Sequence, residues 1–250
     1  MKIIVLAVWI FFLVQAPARA GFKEGEVAAQ RGDYATAFRE LSPIARQGHA
    51  RAQLYLGAMY RNGWGVKRDV NEAFKWYLEA SQQGELDAIF MVGALYAEGS
   101  GITKDDREAL RWFQKAAALG SAAAQNNVGK YYEDGLGGLK GNPTEAVQWY
   151  RKSAAQGWDD AQYNLGLRLI DGRGVQKNES EGVSWLRKAA LQGHSDAQLI
   201  LGVAFLEGRG VKRDGQSVIE GMEWIRKSAD QGNPKAVEIL RKAEKARVNK

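Results

Sequence analysis

The chain has no cysteine in its 250 residues. That excludes disulfides, thiolate metal sites, a cysteine nucleophile and a lipid-modified cysteine. Histidine is confined to His49 and His194, and proline to four residues against 29 glycines, a balance that suits helices punctuated by tight loops. There is no H-E-x-x-H, no phosphate loop and no G-x-S-x-G, so no catalytic constellation, metal site or cofactor is expected. No sign of charge dominates: the formal charge is +6, too mild over this length to imply nucleic acid.

Apolar runs are short as well. The longest, Ile3 to Val14, has twelve residues, whereas a membrane-spanning helix needs about twenty. Lys2 precedes it and Ala18-Arg19-Ala20 follows with a small-x-small pattern, so residues 1–20 read as a secretory signal cut before Gly21. An uncleaved anchor is the other reading. Cleavage removes Lys2 and Arg19 and leaves +4. The expected product has no transmembrane segment and is periplasmic or secreted. An exported chain without cysteine fits a bacterial envelope.

What the sequence does have is a period. Trp76 returns as Trp112, Trp149, Trp185 and Trp224, at spacings of 36, 37, 36 and 39. Gly57 returns as Gly93, Gly129, Gly166 and Gly202, and Gly84 as Gly120, Gly157, Gly193 and Gly232. Such a period marks a solenoid, in which each repeat buries its apolar face against its neighbours. Five repeats are read at 49–84, 85–120, 121–157, 158–193 and 194–232, after a degenerate tetratricopeptide-like hairpin at 21–48 and before a capping helix at 233–250.

Each repeat reads as helix A, a glycine loop and helix B. Ala52, Leu56 and Tyr60 and their equivalents, spaced by four, share one helix face. A glycine follows the Leu56 position in every repeat, at about 1 kcal/mol against alanine, which predicts a helix approaching too closely for a side chain. Small residues at Ala73, Ala109, Ala146, Gly182 and Gly221 are expected to face it. Helix A ends in G-x-G, from Gly63/Gly65 to Gly208/Gly210. Helix B is expected to begin with the cap pairs Asp69/Glu72, Asp105/Glu108, Asn142/Glu145, Asn178/Glu181 and Ser217/Glu220, and the extra residues of the fourth and sixth hairpins to fall in the loops before them. Pro43 is expected to distort the helix it occupies.

The pattern Ala50-x-Ala52-Gln53…Gly57…Tyr60…Gly63-x-Gly65-Val66…Asp69…Ala73…Trp76-Tyr77 strongly resembles the Sel-1-like repeat of the tetratricopeptide superfamily, and Asp160-Ala161-Gln162…Gly166…Gly172-x-Gly174-Val175…Trp185 matches it again. The resemblance covers 49–232. It implies an all-α, right-handed superhelical solenoid of antiparallel helix pairs and an adaptor role in protein complexes, often in bacterial envelopes. Cysteine-rich secreted members are linked to β-lactam binding or hydrolysis. The paired cysteines are missing here, and the activity is not carried over.

By analogy with tetratricopeptide arrays, helix A lines the concave wall. Positions not needed for packing then offer a partner surface: Leu54, Phe90, Asn126, Lys130, Tyr163, Leu167 and Leu199, with Glu98, Glu133, Asp134, Asp171 and Glu207 as an acidic edge. The expected function is an exported, non-enzymatic scaffold for a protein or peptide partner. Two other readings stay open. A basic loop row (Lys67/Arg68, Lys104, Lys140, Lys177, Lys212/Arg213) suits an anionic polymer, making a cell-wall or exopolysaccharide binder. A β-lactam or peptidoglycan hydrolase is the third. The two histidines read as polar helix starts and the tryptophans as core.

Overall fold

The computed structural model describes residues 21–248, so the leader read at 1–20 lies outside them. Residues 21–30 form α1. There follow α2 (Tyr34–Arg46), α3 (Ala50–Asn62), α4 (Val70–Gln82), α5 (Leu86–Glu98), α6 (Asp106–Ala118), α7 (Ala122–Asp134), α8 (Pro143–Ala155), α9 (Asp159–Asp171), α10 (Glu179–Leu191), α11 (Ser195–Glu207), α12 (Gly215–Asp230) and α13 (Pro234–Val248). Among the described residues there is no strand. The described residues divide into two compact units, the first ending at Leu119 and the second beginning at Gly120. Within each, consecutive helices pack pairwise in the manner of an all-α solenoid of antiparallel helix pairs.

The mid-helix glycines are sockets. A Cβ at Gly57 would lie 2.6 Å from the Tyr77 ring, at Gly93 3.0 Å from Phe113, and at Gly129 2.7 Å from Tyr150. In the last two repeats the ring is replaced by Leu186 and Ile225, and the backbones themselves close in: a Cβ at Gly202 would meet Gly221 O at 2.6 Å, and one at Gly182 would meet Gly166 O at 2.8 Å. The filler is therefore mainly the residue after each tryptophan. The small residues expected opposite contribute their backbone at Ala146, Gly182 and Gly221. The first hairpin obeys the same rule, with Gly25 set against Leu41.

Both glycines of the G-x-G loop are needed. The first ends helix A in the left-handed conformation, as at Gly63 with φ 74°. The second lies against the first residue of the previous helix B: Gly65 on Tyr34, Gly101 on Val70, Gly174 on Pro143 and Gly210 on Glu179. The loop then returns to helix A by main-chain bonds, Asp69 N donating to Tyr60 O at 2.9 Å and Asn178 N to Leu169 O at 2.8 Å.

A buried glutamine joins neighbouring hairpins. Gln53 Nε2 donates to Ala45 O at 3.2 Å, in the last turn of the preceding helix B, while its Oε1 accepts from Gln83 Nε2 at 2.7 Å. Gln162 repeats this with Ala154 O and Gln192, and Gln198 with Ala190 O and Gln231. In the third hairpin both partners change together: Ile89 is buried in place of the first glutamine and Leu119 is exposed in place of the second. Losing both amides leaves no orphaned polar group, which is the inexpensive way to lose a buried hydrogen bond.

Three local expectations need correction. α2 continues through Pro43, because a proline in the last turn forfeits a single bond near an end that frays in any case. The last helix B starts at Gly215, capped by Asp214, whose carboxylate accepts from Ser217 N while Asp214 N donates to Ser217 Oγ; Ser217 is inside the helix. The extra residues of that hairpin thus lengthen α12 to 16 residues instead of enlarging the loop.

Candidate functional site

Helix A of each repeat carries the candidate partner row. In the first compact unit, Leu54 is half-buried against the α4–α5 core, and the Phe90 ring lies 5.6 Å from Phe113. In the second, Asn126 is buried and its Oδ1 accepts from Asn164 Nδ2 at 3.0 Å. Tyr163 stacks on His194 at 4.7 Å and 23°, and Leu199 is buried with Ile225 and Ala236. Lys130 is exposed and Leu167 half-buried. The expectation that this row is free of packing is corrected for Asn126 and Leu199, which the following hairpin covers. Phe90 and Tyr163 are half-buried, each ring supported on one side by a neighbour.

The acidic edge is not a free field. Glu133 is nearly buried: Tyr150 Oη donates to its Oε2 at 2.8 Å, and Arg168 Nη1 lies 2.9 Å from its Oε1. The Arg168 contact is an ion pair without an aligned N–H, and Arg168 Nε has no hydrogen-bond acceptor. Burial, then the bond to Glu133, pushes the Tyr150 hydroxyl well above its usual range, and burial pushes Tyr77 up to about 12. Glu98 takes a two-pronged bond from Arg61 at 2.8 and 3.1 Å, and Arg209 lies 3.7 Å from both Asp171 and Glu207. Asp134 is exposed. Arginines placed at different positions in successive repeats produce this neutralisation, which a search for matched positions misses. The basic loop row is partly matched too: Lys104 faces Asp106 at 3.4 Å and Lys177 faces Glu179 at 2.8 Å.

The two histidines are helix caps. His49 Nδ1 accepts from Ala52 N at 3.2 Å and His194 Nδ1 from Ala197 N at 3.1 Å. His194 Nε2 also lies 3.2 Å from Asp160, so a neutral ring with its proton on Nε2 satisfies both contacts. Asp160 raises the His194 pKa against opposing burial, and that contact holds the Asp160 carboxyl below its usual value. Trp76, Trp112, Trp149 and Trp185 are half-buried and Trp224 is buried; a lysine one turn on roofs the last four of these five, with Nζ 5.0, 4.2, 3.8 and 4.2 Å from the rings of Trp112, Trp149, Trp185 and Trp224. Sequence reasoning passed over Trp64, which stacks on Tyr34 at 4.8 Å and 8°. Its signal was an aromatic at a loop position held by Ser100, Leu136, Arg173 and Arg209 elsewhere.

Among the described residues no group of three or more His, Cys, Asp or Glu is placed to hold a metal ion, and no helix is long and apolar enough to cross a membrane.

Comparison with known proteins agrees with this geometry. The Sel1 repeat family matches residues 50–85, 86–121, 122–158, 159–194 and 195–233. A Sel1 repeat protein from Oxalobacter formigenes is 32% identical, with a TM-score of 0.79 over 88% of this chain and 86% of that one. The protective antigen c5321, present in uropathogenic Escherichia coli strains and displaying the same fold, is 30% identical, with a TM-score of 0.73 over 88% of this chain. The present chain spans 55% of that antigen's length. The immunity protein Pa5087 from Pseudomonas aeruginosa, at 21% identity and a TM-score of 0.55 over 86% of this chain and 83% of that one, shares the fold. No curated protein matches. Sel1 repeats generally mediate protein–protein interaction and are generally non-catalytic. With five repeats in register along most of its length, the chain belongs to the Sel1 repeat family.

Proposed function

We propose that this protein is an exported, non-enzymatic scaffold that holds a protein or peptide partner against its helix-A surfaces in the bacterial envelope. The observation that carries this reading is the pair Phe90 and Tyr163. Each is a half-buried aromatic ring backed by a packed neighbour, which leaves a stiff apolar edge for contact at small entropic cost. The N-terminal leader pattern supports export, and an intact mass beginning at Gly21 tests it.

The binding test is crosslinking capture from the native envelope with Phe90→Ala plus Tyr163→Ala. Loss of the captured protein, with helicity retained and the melting temperature lowered by a few degrees, is expected. The fall in melting temperature follows because both rings also pack internally. The competing polymer reading draws on the exposed Lys67, Lys140 and Lys212. Charge reversal of those three is expected to leave capture intact. If it abolishes capture while the aromatic variant keeps it, the polymer reading replaces the scaffold.

A further inference from the structure

Within the two compact units, four of the five junctions between successive A helices are occupied by the residue four places after the socket glycine. Arg61 reaches from α3 to Glu98 and to within 3.9 Å of Met91 Sδ on α5. Glu133 reaches from α7 to Arg168 on α9. Ile170 and Leu206 lie against Gly182 and Gly221 of their own helix B and join the clusters that continue into α11 and α13. At the junction of α1 and α3 the equivalent residue is Ala29, whose side chain ends at Cβ. A cleft of about 300 Å³ is left there, lined by Ala29, Tyr34, Tyr55, Ala58, Met59 and Trp64, with Gln30 at its rim. Trp64 is 41% exposed, and the Tyr55 hydroxyl is turned out of play by donating to Glu26 Oε1 at 3.0 Å.

We propose that this niche takes an apolar side chain, preferably an aromatic ring, from a peptide partner. The filled niches decide the chemistry. Arg61 is neutralised by Glu98 and Glu133 by Arg168, but at those two positions the first junction carries Asn62 and Met59. No residue lining the cleft is charged and Glu26 beside it already accepts from Tyr55, so a charged occupant would lose water for little return. Ile170 and Leu206 show that an apolar side chain fits the same place. The Tyr34–Trp64 stack adds flat aromatic surface, which another ring covers well. The inference gives the first anchor of the scaffold reading above and rests on it.

The test uses the full chain, with the Trp64 indole N–H resonance assigned by its loss in Trp64→Phe. The probes are the blocked tripeptides Gly-Phe-Gly, Gly-Arg-Gly and Gly-Glu-Gly, and a trimer of N-acetylglucosamine. The Phe peptide is expected to shift the resonance saturably and to bind at least tenfold more tightly than the others. Ala29→Leu, or Ala58→Leu if the first variant loses its fold, fills the niche from inside and is expected to weaken the Phe probe at least tenfold. No shift with any probe, an equal or larger one with the Arg, Glu or sugar probe, or an unchanged response in the filled variant overturns the proposal. Envelope capture that depends on Phe90 and Tyr163 while Trp64 stays silent overturns the niche alone.

Discussion

The α5–α6 and α9–α10 hairpins follow one sequence pattern and solve it differently at two places. In α5–α6 the socket Gly93 receives the Phe113 ring, and Ala109 stands at the small position. In α9–α10 the filler shrinks to Leu186, Gly182 replaces the alanine, and a Cβ at Gly166 would lie 3.0 Å from Gly182 O. Ring size and backbone separation are traded against each other. The buried polar link differs as well: Gln162 and Gln192 join α9–α10 to its predecessor, while Ile89 and Leu119 leave α5–α6 without one. A repeat can therefore change its interior when two residues change as a set, and a single change is what it resists.

The first way to break the comparison is to add bulk where backbones meet. Gly182→Leu is expected to destabilise by about 3 kcal/mol or more, since neither Gly166 O nor the α9 backbone can move aside. Gly166→Ala is expected to lower the melting temperature further than Gly93→Ala, because the aromatic ring at Gly93 can tilt. A raised melting temperature for Gly166→Ala would show that the close crossing does not exist.

How far the sequence disclosed this depends on whether the cause is periodic. Gly57, Gly65 and Asp69 recur because every repeat meets the same neighbour, and a period exposes them. The fold, the repeat and the loop glycines were legible for that reason. Asn126 and Leu199 were misread as open because part of their cover, Asn164 and Ala236, comes from the next helix A along the array, whose approach no single repeat encodes. Glu133 was misread as an exposed acid because Arg168 stands at a position that is Met59, Leu95, Tyr131 or Ala204 in other repeats.

A second test exchanges the polar link. Ile89→Gln alone buries an amide without its partner and is expected to cost about 1–3 kcal/mol. Adding Leu119→Gln restores the arrangement of the other repeats and is expected to recover most of that loss in urea unfolding. If the double variant is no more stable than the single one, the pairing is incidental.

The smallest effect concerns His194. Its pKa is raised by Asp160, so the charged pair contributes stability below the unfolded value near 6.5 that is lost as pH rises through the folded value, offset by the Ala197 N–H cap that protonation of Nδ1 breaks. Asp160 is half-exposed, and the contribution is expected to be well under 1 kcal/mol. Asp160→Asn is expected to lower the His194 pKa measured by proton NMR, and an unchanged titration would remove the pair from the account.

The second loop glycine has a consequence for ancestry. Gly65, Gly174 and Gly210 key their hairpins to the preceding one chiefly through main chain at the start of a helix, where the residue met is Tyr34, Pro143 or Glu179, whereas Gly101 meets the Val70 side chain first. Because most of that lock is made by backbone, a duplicated or transplanted repeat needs few compensating changes at the joint. Arrays of this kind can lengthen and shorten by unequal recombination, and their surfaces can diverge afterwards without disturbing the joint.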